Sequence, residues 1–229
     1  MQLPLAIEFP ESATLDSFIP GANTLLLELL RNIARGEGEA QLYIWSATGM
    51  GKTHLLQATC RMAADNGRKT CYLPFDVMQQ HGPNILDGLE MLDLVALDDL
   101  QRIVRIDGWQ QAVFSLINRC RAASTAIVFA ASASTAELDL QLRDLESRLA
   151  WGPIFELREL ADEDKLKVLQ ARAGKRSLEL SDETGRYLLS RYPRDMRYLC
   201  DTLDRLDRAS LAAQRRLTIP FIKTVLSHQ

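Results

Sequence analysis

The segment L-Y-I-W-S-A-T-G-M-G-K-T-H, Leu42 to His54, constrains this chain more than any other. Four apolar or aromatic residues run straight into a small-residue turn, and the turn into Lys-Thr. That order predicts a buried strand, a phosphate-cradling loop and the first turn of a helix. Backbone N–H groups must come within bonding distance of phosphate oxygens, which excludes bulk at Gly49 and Gly51. Lys52 supplies a mobile positive charge, Thr53 a hydroxyl for Mg²⁺, and the helix N-terminus a partial positive charge. Ser46 stands where the pattern G-x-x-x-x-G-K-[ST] has its first Gly. Serine is small, but it enters positive φ less freely than glycine.

The surrounding chain supplies the rest of such a domain. Leucines and Ile33 at helical spacing follow Asn23, a candidate cap, and stop at Gly36; a helix from Lys52 ends at Asn66-Gly67. Cys71–Leu73, Leu94–Leu97, Ala126–Ala130 and Ile154–Leu157 read as further strands, and Asp107 as the cap of a helix through Val113 and Ile117. Uninterrupted apolar strands alternating with helices predict an α/β domain with a parallel five-stranded sheet. After Leu160 only helical patterns remain, opening at Asp162, Ser181, Asp195 and Thr218. They predict a small C-terminal helical domain. The expected division is residues 1–14 as an extended peptide, 15–160 as the α/β base and 161–229 as the helical part.

A net charge of −3 without a basic stripe argues against a protein that holds duplex DNA by itself. Four cysteines without a C-x-x-C pair predict reduced thiols and a cytoplasmic protein. The acid- and proline-bearing start is not read as a secretion signal, and no apolar run approaches a membrane span.

Several positions outside the loop carry chemistry. Asp98 and Asp99 end a buried strand, where open α/β sheets bind ligands. Asp98 is the expected second anchor for Mg²⁺ and Asp99 a group that orients water, unless Asp98 merely caps the next turn. Arg148 in S-R-L-A-W-G either pairs with a carboxylate such as Glu146 or serves a site, and Arg197 in D-M-R either sits solvated or reaches a ligand. Gln2, Leu3, Leu5 and Ile7 suit a groove on another protein if extended, or a terminus folded onto its own domain.

Taken together, these motifs resemble the AAA+ ATPases, and within them the relatives of the bacterial replication initiator DnaA. G-M-G-K-T-H-L-L resembles that family's phosphate loop, carried by Thr48, Gly49, Met50, Gly51, Lys52, Thr53 and His54. The stretch Leu15–Gly21 resembles its N-terminal box near the adenine, with Phe18 and Ile19 as nucleotide contacts. The resemblance makes Arg148 an arginine finger and Arg197 a sensor of the bound phosphates. It places Ser132 at the first sensor, where the initiators have an acid. An initiator continues into a helix-turn-helix domain, whereas this sequence stops at Gln229; Gln2 to Ile7 is similar to the hexapeptide that binds the sliding clamp. That combination resembles the Hda family of regulatory inactivators of DnaA.

What the resemblance implies is a P-loop AAA+ base with a helical lid, holding ADP or ATP with Mg²⁺ through Thr53 and Asp98. Its implied partners are the initiator DnaA and the DNA polymerase III beta clamp, with DNA reached through the loaded clamp and a homo-oligomer open through AAA+ faces. The implied activity is stimulation of ATP hydrolysis in the initiator by Arg148 in trans, which inhibits re-initiation. Ser46, Asp99 and Ser132 lead us to expect weak hydrolysis by the chain itself. The rival expectation is an autonomous AAA+ ATPase acting on DNA, such as a helicase loader.

Overall fold

The structure, a computed structural model, describes residues 13–226. The chain divides into two units. The first runs to Phe18 and from Asn23 to Arg158; the second comprises Ile19–Ala22 and the chain from Glu159 onward.

In the first unit, helix α1 (Thr24–Arg35) precedes strand β1 (Gln41–Trp45), helix α2 (Lys52–Asp65) and strand β2 (Thr70–Pro74). A short helix α3 (Phe75–Met78) leads through single 3₁₀ turns to strand β3 (Leu94–Asp98). Helix α4 (Trp109–Ala123), strand β4 (Ala126–Ala131), helix α5 (Arg143–Leu149) and strand β5 (Ile154–Glu156) complete it. All neighbouring strands are parallel, in the order β2-β3-β4-β1-β5.

Alternation along the strands explains why continuous apolar runs were needed. Tyr43, Val95, Leu97, Ile127 and Phe129 face a core that includes Trp109 and Ile117 of α4. Leu42, Ile44, Leu94, Ala96 and Val128 face the opposite core, under Leu30 of α1 and Leu55 of α2. A sheet covered on both faces leaves no position for a polar side chain except at the strand ends, where the loops that carry chemistry emerge.

Two helix starts differ from expectation. Helix α4 is preceded by Gly108 at φ 81°, not capped by Asp107, because the turn there needs a left-handed residue. Asn23 precedes α1 but makes no side-chain cap; its amide instead bonds the backbone of Arg158, donating to the carbonyl at 3.0 Å and accepting from the N–H at 2.8 Å. The far end of α1 is closed by Gly36 at φ 82° and by Arg68, whose guanidinium donates to the carbonyls of Ile33 and Ala34. A cation at a helix C-terminus satisfies orphan carbonyls and complements the dipole.

The second unit consists of α6 (Asp162–Gly174), α7 (Asp182–Arg191), α8 (Met196–Ala213) and α9 (Ile219–Leu226). Ser181 and Asp195 cap α7 and α8 by accepting from the N–H groups of Thr184 and Tyr198. Leu169, Leu188, Leu203, Leu206 and Ile222 form its separate core. Arg172 grips Asp204 with two hydrogen bonds of 3.1 and 2.8 Å, and Arg176 pairs with the same carboxylate. Partial burial alone raises the Asp204 pKa, but the two guanidinium groups more than reverse this and bring it down to about 2. In the unfolded chain the group takes up its proton near pH ~4. Between those values the unfolded chain binds the extra proton, so the stability that Asp204 provides is present above pH ~4 and is lost as pH falls towards 2. Acid titration followed by thermal melting should show this loss, and Asp204→Asn should flatten it.

Candidate functional site

The loop after β1 has the backbone its sequence demands. Gly49 and Gly51 sit at φ 84° and 101°, in the left-handed region. A Cβ on Gly51 would also lie 3.1 Å from the Phe18 ring. Lys52 is buried, and its ammonium folds onto the loop, donating to the carbonyls of Ser46 at 2.7 Å and Ala47 at 2.9 Å. Ser46 adds its hydroxyl oxygen at 3.2 Å. Burial lowers the Lys52 pKa, partly offset by Asp98 and Asp99.

Thr53, in the first turn of α2, donates its hydroxyl proton to Asp98 Oδ2 at 2.7 Å. The same oxygen accepts from Tyr72 OH at 2.8 Å, and Oδ1 accepts from the Asp99 N–H at 2.9 Å. Asp98 is 2% exposed, and burial raises its pKa despite these donors. A buried carboxylate that resists ionisation beside a threonine hydroxyl is relieved by a hard cation, and both oxygens suit Mg²⁺. Small left-handed glycines, an ammonium and hard oxygen donors therefore fit a phosphate group carried with a divalent cation.

Asp99 and Ser132 are joined through a residue that motif reading passed over. Gln101 donates to Asp99 Oδ1 at 2.7 Å and accepts from the Ser132 N–H at 3.0 Å. Asp99 itself stands at φ 58°. One amide thus commits the second acid of the strand end to the strand end beside it. Its position two residues beyond Asp99 carries no motif, so only the fold reveals it.

On the other side of the loop, His54 Nε2 lies 3.1 Å from the Thr14 carbonyl and 3.4 Å from the Ser17 hydroxyl. Thr14 and Ser17 cap each other around the 3₁₀ turn Leu15–Ser17. The Phe18 ring stands 6.0 Å from the His54 imidazole. His54 thereby ties the segment before α1 to the first turn of α2. Thr48 is exposed at the loop tip, and Met50 is half-buried beside the α1/α2 core.

Arg148 lies apart from this cluster, in the last turn of α5. Its guanidinium stacks on Trp151 at 3.9 Å and approaches the Phe114 ring at 5.5 Å. Its Nε is buried without a hydrogen-bond partner, and among the described residues no carboxylate, Glu146 included, makes an ion pair with it. Ile19 and Arg197, the latter exposed in the first turn of α8, belong to the second unit. Gln2, Leu3, Leu5 and Ile7 lie outside the described residues. No helix among the described residues is long and apolar enough to cross a membrane.

Comparison with known proteins matches both units. The model of the bacterial DnaA ATPase domain covers residues 10–156, and that of the Hda lid domain covers residues 162–226. Domain III of the Thermotoga maritima replication initiation protein DnaA superposes with a TM-score of 0.83 at 19% identity, covering 96% of this chain and 98% of that one. AMPPCP-bound DnaA from Aquifex aeolicus is 25% identical with a TM-score of 0.73; the match spans 86% of this chain and 65% of that one. Thermotoga maritima RuvB shares the fold at 19% identity and a TM-score of 0.73, over 96% of this chain and 72% of that one. With the ATPase-domain match extending over more than half of its length, the chain belongs to the bacterial DnaA ATPase-domain family, as a DnaA-related AAA+ protein with an Hda-type lid.

Proposed function

We propose that this protein is a negative regulator of chromosomal replication initiation. It binds the DNA polymerase III beta clamp through Gln2, Leu3, Leu5 and Ile7, and so reaches DNA indirectly, through the loaded clamp. Docked there in the cytoplasm, it stimulates hydrolysis of ATP bound to the initiator DnaA by inserting Arg148 into that neighbour's site. The observation that carries this reading is the state of Arg148, a guanidinium set on an aromatic face with no carboxylate among the described residues to neutralise it. Arg172, by contrast, is matched by Asp204. The same AAA+ faces would support a homo-oligomer.

In this reading, residues 15–160 form the nucleotide-holding base, 161–229 the lid and 1–14 the clamp-binding peptide. ADP or ATP is held by the backbone of Thr48–His54 and by Lys52, with Phe18 and Ile19 at the base and Ser132 and Arg197 at the phosphates. Mg²⁺ falls to Thr53 and Asp98. Bound nucleotide supplies negative charge that orders the loop. The chain's own hydrolysis is weak, because Gln101 engages the Asp99 carboxylate and Ser132 brings no charge. Lys52→Ala should therefore cost nucleotide affinity, measured by titration with labelled ADP, far more than it costs any basal turnover.

The test is hydrolysis of ATP preloaded on the initiator in the presence of clamp-loaded DNA. Wild type should stimulate it, while Arg148→Ala and Gln2→Ala should each fail. An Arg148→Ala protein that stimulates normally removes the arginine-finger assignment. DNA-stimulated turnover by the protein alone, abolished in Lys52→Ala, would favour the helicase-loader reading instead.

A further inference from the structure

Helix α4 carries two arginines two positions apart with opposite surroundings. Arg119 is matched: it donates to Glu90 at 3.0 Å and to the Leu86 carbonyl at 2.9 Å. Arg121 has no carboxylate in ion-pair reach among the described residues, and its guanidinium carbon lies 4.1 Å from the centroid of the Trp151 ring. That is the ring on which Arg148 stacks at 3.9 Å. The two cations are therefore held apart by no more than the sum of those distances, with only an indole between or beneath them.

This is an unusual arrangement in physical terms. The ring attracts each guanidinium, but the two repel each other, and the indole accepts none of their N–H groups in the plane of the fork. Both forks keep donors open, so the pair is complementary to an anion with several oxygens. The helix places the elements deliberately. Phe114 and Arg121 are seven residues apart, two turns along one face, and Phe114 also contacts Arg148. Trp151 is 38% exposed and Ile154 of the edge strand β5 is 41% exposed. A cation pair on a partly exposed indole suits an anion presented by another protein's surface better than a free ion in water, which would keep its hydration.

We propose that Arg121 is a second phosphate-contacting arginine, and that with Arg148 it grips the triphosphate of a nucleotide bound by the partner chain. This rests on the role given to Arg148 above. As charge develops on the terminal phosphoryl group, two guanidinium forks share it instead of one.

The experiment uses the full-length protein, ATP-loaded initiator and clamp-loaded DNA, and separates the maximal rate from the half-saturating concentration. Arg121→Ala and Arg121→Gln should each lower the maximal rate by about tenfold, the worth of one hydrogen bond to a charged group. Arg121→Glu should fall further, since its carboxylate would pair with Arg148. All three should keep wild-type melting and wild-type affinity for their own nucleotide. A wild-type maximal rate in Arg121→Ala and Arg121→Gln, while Arg148→Ala is inactive, overturns the role of Arg121 alone. A change confined to the half-saturating concentration overturns it too, because that reports docking. A normal rate in Arg148→Ala overturns the reading on which it rests.

Discussion

Arg148→Ala should reduce stimulated hydrolysis of initiator-bound ATP by about 10³-fold or more, within the range of arginine fingers supplied in trans. A factor of ~10³ corresponds to about 4 kcal/mol of transition-state stabilisation. A planar fork aimed at developing phosphoryl charge can supply that much only in a site from which water is excluded. Arg148→Lys should recover little, because an ammonium offers a point charge and not a fork that also lies flat on Trp151. The loss should not come from unfolding. The stack on the indole is worth about 0.5–1 kcal/mol at a half-exposed site, so melting should shift by only a few degrees. Rate and melting measured on the same preparations separate the two explanations, and a large drop in melting temperature would count against the catalytic one.

The largest effect on stability is expected at Gly152. A Cβ there would lie 2.1 Å from the Gln41 carbonyl oxygen and 2.7 Å from its carbonyl carbon, which are backbone atoms of β1 and cannot swing aside. The neighbouring backbone is also committed. Gln41 Nε2 donates to the Arg148 carbonyl at 2.7 Å, and the Tyr43 N–H donates to the Pro153 carbonyl at 3.0 Å. Gly152→Ala must push the turn between α5 and β5 away from the sheet, at a cost of about 3 kcal/mol. For a chain of this size that lowers the melting temperature by roughly 10 °C. Gly185 in α7 gives the contrast. Its Cβ would meet Leu166 Cδ1 at 2.2 Å, the end of a flexible side chain that can change rotamer. Gly185→Ala should cost clearly less than Gly152→Ala by chemical denaturation. The Gly152 variant should lose stimulation as well, since the displaced turn carries Trp151, on which Arg148 stacks.

The central strands β1, β3 and β4 were legible because parallel strands buried on both faces must be continuously apolar; the edge strand β5 is largely exposed and was legible only as a short apolar pair before Glu156. The lid helices were legible from their caps, since Ser181 and Asp195 do locally what their residue types favour. The helix starts that departed, at Asn23 and Gly108, did so where a distant backbone or a required positive φ outweighed local preference. Within the site, Lys52, Thr53 and Asp98 could be named from spacing. Tyr72 and Gln101 could not, because their partners are set by which strands lie side by side: β2 beside β3 brings Tyr72 to Asp98, and β3 beside β4 brings Gln101 to Ser132.

Local chemistry along the chain was therefore enough to specify a nucleotide loop, a parallel sheet and a helical lid, because caps, periodicity and glycine geometry act over a few residues. Of its two readings of Arg148, a paired surface charge or a free functional one, those local rules favoured the first. Folding separated them. It packed α4 against α5, laid the guanidinium on Trp151 with Arg121 on the same ring, and left Glu146 unpaired with it. Whether a charge is neutralised depends on which side chains arrive from elsewhere in the chain, and no spacing along the sequence encodes that.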